Sequence, residues 1–246
     1  MRRKLFIASS LSALGLAGCG QVKDSLTNGP FRGALLSTES LNHAVIGTHG
    51  LAREYKDSDV DRNFRVNGLD TPTDATYASL ARGGFRDYRL VVDGLVDRPQ
   101  RLALAELRAA GQKTQITRHD CVEGWSAIGK WRGVQLGTIL AMARPKANAR
   151  YCVFYCFDRD PSGQQYYESL DLREAAHPQT VLALDLNDRP LDNDHGAPVR
   201  LKFPTQLGYK SAKWVSRIAL VAGLNPIYGG TGGSWEDQGY EWYAGI

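Results

Sequence analysis

From Tyr88 to Val221 the chain keeps changing period: short runs that alternate, or are wholly apolar, give way to short runs with helical spacing. YRLVVDGLV (88–96) reads as a strand ending in a turn, and LALAELRAA (102–110) as a helix closed by Gly111. KTQITRH (113–119) alternates as a strand does. VQLGTILAMA (134–143) is a helix stopped by Pro145, and RYCVFYCF carries a β-branched and aromatic strand over 151–157. A polar loop, DRDPSGQQ, leads to a short helix around 171–176, followed by strands at 180–187, 198–204 and 214–221. In PVRLKFP, Val199, Leu201 and Phe203 face one way while Arg200 and Lys202 face the other. No repeat or low-complexity block is present. The expectation is an α+β fold with mixed sheets and interspersed helices.

The first residues describe a chain bound for export. MRRKLF is basic, IASSLSALGLAG is a short apolar stretch, and small residues precede Cys19. That is a secretory signal, too short for a spanning helix. LAGC resembles a bacterial lipobox, in which cleavage leaves Cys19 lipidated and ties the protein to a membrane surface. Arg2 and Arg3 suit the twin-arginine route, which exports folded chains. The expected organisation is a signal with lipobox over 1–19, a tether over 20–60, a domain over 61–224 and a C-terminal arm over 225–246. Trp235, Tyr240, Trp242 and Tyr243 anchor that arm to the surface. No later segment is apolar enough to cross a bilayer, so the membrane is reached through the N-terminal lipid. A net charge of +4, partly from the leader and without a basic block, gives nucleic-acid binding no support.

Beyond the leader three cysteines remain, at 121, 152 and 156, and an odd count leaves one thiol over. Cys152 and Cys156 are separated by about 13 Å along an extended strand, so they do not pair with each other. Cys121 stands in RHDCVEGW, among charged groups. His119 and Arg118 would lower its pKa, but Asp120 and Glu123 oppose them, so a thiol hydrolase fits poorly. A thiolate ligand to a metal whose other ligands come with a cofactor, or an inert buried thiol, both remain open.

RHDCVEGWSAIGKWRGVQLGTIL resembles the core signature of the sulfite-oxidase-like molybdopterin oxidoreductases, in particular the exported bacterial branch that includes methionine sulfoxide reductases. FRVNG (64–68), YRLVVDGLV, HGAPVRL (195–201) and LGYKSAKWVSRI (207–218) extend the likeness in the family's order. The resemblance implies a sulfite-oxidase-type molybdopterin-binding domain in which Cys121 is the protein ligand to molybdenum. It further implies that the cofactor is held by Asn67, Cys156, His195, Arg200, Gly208, Tyr209 and Lys210. Arg200 and Lys210 suit a phosphate, and Gly208 offers backbone donors. Cys156 stands where that branch carries threonine, so its contact would be weaker. Trp125, Lys130 and Arg132, downstream of Cys121, could line the approach. The implied activity is oxo transfer that reduces S-oxides or N-oxides, free or protein-bound, in the periplasm or outer cell envelope. Sulfite oxidation is the enzymatic alternative, and a non-catalytic lipoprotein module the other. With no CxxCH motif, a separate haem protein or cytochrome must exchange electrons with it. A monomer is expected.

Overall fold

The computed structural model describes residues 50–68, 71–160 and 162–246; the leader, Cys19 and most of the expected tether lie outside them. The first of two five-stranded sheets contains β1 (Leu90–Gly94), β2 (Gln100–Leu102), β5 (Tyr151–Arg159), β6 (Gln165–Asp171) and β10 (Val215–Val221). Its order is β2-β1-β10-β5-β6, with β1 and β10 parallel and the other pairs antiparallel. The second runs β3 (Lys113–Asp120), β4 (Ser126–Gln135), β7 (Val181–Leu186) and β8 (Arg189–Pro190). There β9 (Arg200–Lys202) pairs with β7, and every pairing is antiparallel.

Among the described residues four short α-helices accompany the strands: α1 (Ala75–Arg82) precedes β1, and α2 (Leu104–Ala109), α3 (Leu136–Ala143) and α4 (Leu172–Ala175) lie between strands. The α+β expectation holds, and only the first sheet is mixed. Among the described residues no helix is long and apolar enough to cross a membrane. The sequence reading passed over α1, which Asp74 starts by accepting the backbone N–H groups of Thr76 and Tyr77.

The main core lies where helices and both sheets meet. Leu90, Val92, Leu107, Ile139, Phe154 and Ile218 belong to it. Strand β7 is buried on both faces. Leu182 and Leu184 enter this core, whereas Val181 and Ala183 join a smaller cluster around Phe64 and Trp131 on the opposite face. Strand β9 obeys the same two-residue alternation. Leu201 packs into the main core, and Arg200 and Lys202 project to the face that carries Trp131.

Both chain ends of the domain differ from expectation. Residues before 61 were expected to be tether, yet Tyr55 N–H donates to Ile116 O (2.9 Å) and Glu54 bridges Thr117. This segment thus covers the open edge of β3, whose backbone groups would otherwise be unpaired. The C-terminal arm is likewise built in rather than laid on the surface. Ser234 exchanges bonds with the backbone of Tyr167 on β6, and Trp242 donates its indole N–H to Ser169 Oγ (2.8 Å). Glu236 of the arm is buried in an ion pair with Lys210 (2.6 Å).

The pairing of β4 with β7, whose register shifts between Arg132 and Gly133, depends on Gly133. A Cβ there would lie 2.0 Å from Leu182 O and 2.7 Å from Ala183 Cα, both backbone atoms that cannot step aside. Gly133→Ala is therefore expected to destabilise the domain by at least the ~1–3 kcal/mol typical of overpacking, read as a lower urea midpoint.

Candidate functional site

Strands β3 and β4 end their pairing at Asp120 and Ser126, and five residues turn the corner. Cys121 N–H donates to Trp125 O (2.8 Å) and Gly124 N–H to Cys121 O (3.0 Å). Gly124 takes the left-handed conformation (φ +86°) that such a tight return requires. Ser126 Oγ donates to Asp120 (2.6 Å), and the Trp125 indole donates to Glu123 (2.9 Å). The tip is fixed by these bonds. Cys121 is thereby held half-buried on the wall of a cavity of about 250 Å³. Burial, with Glu123 beside it, pushes its thiol above the usual range. Such a sulfur is a poor free nucleophile, and a bound cation would be needed to stabilise its thiolate.

Behind the cavity lies an unusual distribution of charge. Arg200 and Lys202 are fully buried, and among the described residues no carboxylate is paired with either. Arg200 donates to Asn67 Oδ1 (2.9 Å) and to His195 O (3.2 Å), and Lys202 donates to Arg118 O (3.0 Å). Both lie over the Trp131 ring, at 5.1 and 5.6 Å. Burial lowers the Arg200 pKa to about 10. Burial, then the charge of Arg200, lowers Lys202 to about 7.

Unmatched polar atoms gather on the same face. Both ring nitrogens of His119, Thr117 Oγ1, Trp131 Nε1 and Arg200 Nε lack a hydrogen-bond partner among the described residues. Burial, then Lys202, Arg200 and Lys213, hold the His119 ring neutral, well below its ordinary pKa. Gly208 lets its loop approach that ring, since a Cβ would stand 2.5 Å from Nε2.

The expected site residues separate into three groups. Cys121, Asn67, Gly208 and Tyr209 line the cavity together, and Arg200 stands behind Asn67. His195 faces a larger neighbouring cavity of about 750 Å³. Its ring lies against Asp192 (2.7 Å) and Phe64 O (3.0 Å), while its own carbonyl accepts from Arg200. Cys156 and Lys210 do not fit the roles expected of them. Cys156 is buried in the main core, and Asp158, two residues along the strand, lines the cavity instead. Lys210 is fully buried between Glu168 (2.5 Å) and Glu236 (2.6 Å), so its charge is already neutralised by the protein.

Ser211, Lys213 and Asp158 line the cavity and were missed, as was Lys202 behind it. The alternation in PVRLKFP, which puts Lys202 on the face of Arg200, was the available signal for Lys202. Of the three approach candidates, Trp125 packs beside His119 with Arg65 over its ring. Lys130 pairs with Asp57 and Asp188 at the larger cavity, and Arg132 lines a shallow surface with Arg108 and Asp185.

Comparison with known proteins agrees with this geometry. Residues 75–226 match the family model described as the oxidoreductase molybdopterin binding domain. The chain belongs to this family. A protein of Azospira oryzae named as a protein-methionine-sulfoxide reductase subunit, YedZ1, is 37% identical over 99% of this chain and 87% of its own length. The protein-methionine-sulfoxide reductase catalytic subunit MsrP of Xanthomonas axonopodis is 30% identical over 89% of this chain and 69% of its own. Among solved structures, the sulfane dehydrogenase SoxCD of Paracoccus pantotrophus shares the fold. Its TM-score is 0.50 at 24% identity, over 56% of this chain and 39% of that one. The chain is thus a molybdopterin-binding oxidoreductase.

The residues present fit that cofactor's chemistry. A pterin with a phosphate brings the anion that Arg200 and Lys202 lack and polar edges for the orphaned donors. The same physics separates two lysines. In cofactor-free protein Lys202→Met is expected to raise stability by about 1–4 kcal/mol at neutral pH, because a buried charge without an anion is replaced by an apolar chain. Lys210→Met is expected to cost about 3–5 kcal/mol, because Glu168 and Glu236 lose their counter-ion. Denaturant titration checks both. Lys202, lowered to about 7 in the folded chain, binds fewer protons there than when unfolded. The contribution of Lys202 therefore makes the cofactor-free wild type gain on Lys202→Met as pH rises from about 7 towards 10.5, and the stability difference between the two narrows.

Proposed function

We propose that this protein is a molybdenum-dependent S-oxide reductase of the cell envelope, acting on sulfoxides of the methionine sulfoxide type, with Cys121 as the protein ligand to the metal. The observation that carries the reading is the juxtaposition of a half-buried sulfur with a buried cationic face for which the described residues offer no paired anion. The relatives named as methionine-sulfoxide reductases favour reduction over sulfite oxidation as the direction. When bound, the cofactor supplies two-electron oxygen-atom exchange.

The chain's own groups bind, orient and exclude water. Arg200 and Lys202 would meet the phosphate end, and Asn67 steadies the guanidinium by accepting from it. Ser211 and the backbone at Gly208 offer donors on the cavity side. Lys213, anchored on Asn67 O (2.8 Å) and Asp194 O (3.1 Å), holds positive charge at the wall. Trp214, Trp235 and Tyr240 give the cavity an aromatic lining suited to an apolar thioether body.

The N-terminal pattern supports export, with Arg2-Arg3 suiting transport of a folded, cofactor-loaded chain and Cys19 a lipid anchor. Electrons come from a separate haem or cytochrome partner, because no haem-attachment motif is present in the sequence.

Purified protein from a molybdenum-competent host should carry one molybdenum and one pterin per chain. Given a reduced dye it should reduce methionine sulfoxide, and do so faster than it oxidises sulfite when given an oxidised acceptor instead. Cys121→Ser should lower turnover by at least about 100-fold, as expected when a group acting directly on the reacting centre is lost. Stoichiometric cofactor with undiminished activity in that variant would contradict the ligand assignment.

A further inference from the structure

Two acids line the cavity that holds Cys121: Glu123, which the Trp125 indole engages, and Asp158, which neither the family likeness nor the function above employs. Asp158 lies on β5 where its register with β6 breaks, between Tyr155 and Arg159. Its side chain faces the cavity, 7% of the residue is exposed, and Oδ1 lacks a hydrogen-bond partner among the described residues. A carboxylate in that setting is costly, whereas a carboxylic acid is not. Burial accordingly pushes Asp158 up to about 7, with its own backbone N–H and then the charge of Lys213 opposing.

We propose that Asp158 is the proton donor of the cavity, delivering its proton to the oxygen that leaves the substrate. This inference rests on the S-oxide reading. Reduction of a sulfoxide breaks the S–O bond, returns sulfur to a thioether and releases the oxygen as water, taking two electrons and two protons. The bound molybdopterin centre would supply the two electrons, replenished by a haem-type one-electron donor. One proton comes from Asp158 and the other from solvent. The carboxylate left behind shares the cavity with Lys213 and regains its proton from solvent.

The other titratable groups around it are less suited. On its own strand, Cys156 is buried with its thiol pushed well up. From β6, Tyr166 faces the same space with its phenol raised far above its ordinary value, first by burial. From the turn after β9, Lys213 is anchored on two carbonyls, and the Tyr209 hydroxyl donates to Glu241 O (2.6 Å). From the hairpin tip, Glu123 accepts from Trp125 and Cys121 is reserved for the metal. Tyr240 of the arm is partly exposed and packs its ring on Tyr209 and Trp235.

The test uses the cofactor-loaded wild type, Asp158→Asn and Asp158→Glu, with methionine sulfoxide as probe. Wild-type kcat should fall as pH rises through about 7, since the acid form is the donor. Asp158→Asn should lose about 10²–10⁴-fold in kcat with KM and pterin content unchanged, and lose that pH limb. Asp158→Glu should restore the limb in part. Infrared difference spectra should show a protonated carboxyl band that titrates in the wild type and is absent in Asp158→Asn. Wild-type kcat across the pH range in Asp158→Asn would overturn the assignment while sparing the S-oxide reading. So would activity lost only in proportion to pterin, which would make Asp158 a cofactor contact. A loaded wild type inactive on sulfoxides would overturn the underlying reading and this role with it.

Discussion

Buried positive charge without a protein anion is the constraint around which the rest of this structure is arranged. Among the described residues the fully buried cations occupy two places, and they are resolved in opposite ways. At Lys210 the chain supplies its own anions, drawing Glu168 from β6 and Glu236 from the arm onto one ammonium. At Arg200 and Lys202 it supplies only carbonyls, an amide oxygen and the face of Trp131. A hydrophobic pair would be more stable at that second place. Its place on a face that also carries orphaned donors marks it as a site completed by an anion that the described residues do not supply.

The two sheets make this arrangement possible. Because β9 is a buried strand next to β7, two-residue alternation sends Leu201 into the main core and its two neighbours to the opposite face without any break in pairing. The β3–β4 hairpin then brings Cys121 to the rim of that face, and the turn at Gly208–Lys210 closes over His119. The arm closes the far side, contributing Trp235 and Tyr240 to the cavity wall and Glu236 to the buried ion cluster. Stability and site are therefore coupled: the arm that neutralises Lys210 is the same one that shapes the substrate approach.

Much of this was legible in the sequence, for identifiable reasons. Strands β1, β3, β5, β7 and β10 carry dense apolar or alternating patterns, and PVRLKFP showed both faces of β9. Strand β4 was hidden because its inward positions are Ala127, Gly129, Trp131 and Gly133, mostly too small to give a hydrophobic period. Strand β6 was hidden because it buries Glu168 and Ser169, an acid and a hydroxyl whose partners come from the distant turn and arm. The lysines at 210 and 213 could not be told apart by pattern. They occupy a short 3-10 turn and the segment after it, where no regular period assigns a face, and only Glu168 and Glu236 reveal which charge is neutralised internally. Cys156 was misplaced for a similar reason. It and Asp158 share one face of β5, and pattern alone does not mark where the core at Cys156 gives way to the cavity at Asp158.

The central claim is that a metal-bearing anionic cofactor completes the site between Cys121 and Arg200. Anomalous diffraction from crystals of the loaded protein, collected at the molybdenum edge, tests it most directly. The account predicts a single strong peak within bonding distance of Cys121 Sγ, with phosphate density against the Arg200 guanidinium. A peak remote from that sulfur, or phosphate density seated elsewhere while Arg200 and Lys202 stay solely on their carbonyl and amide partners, would contradict it.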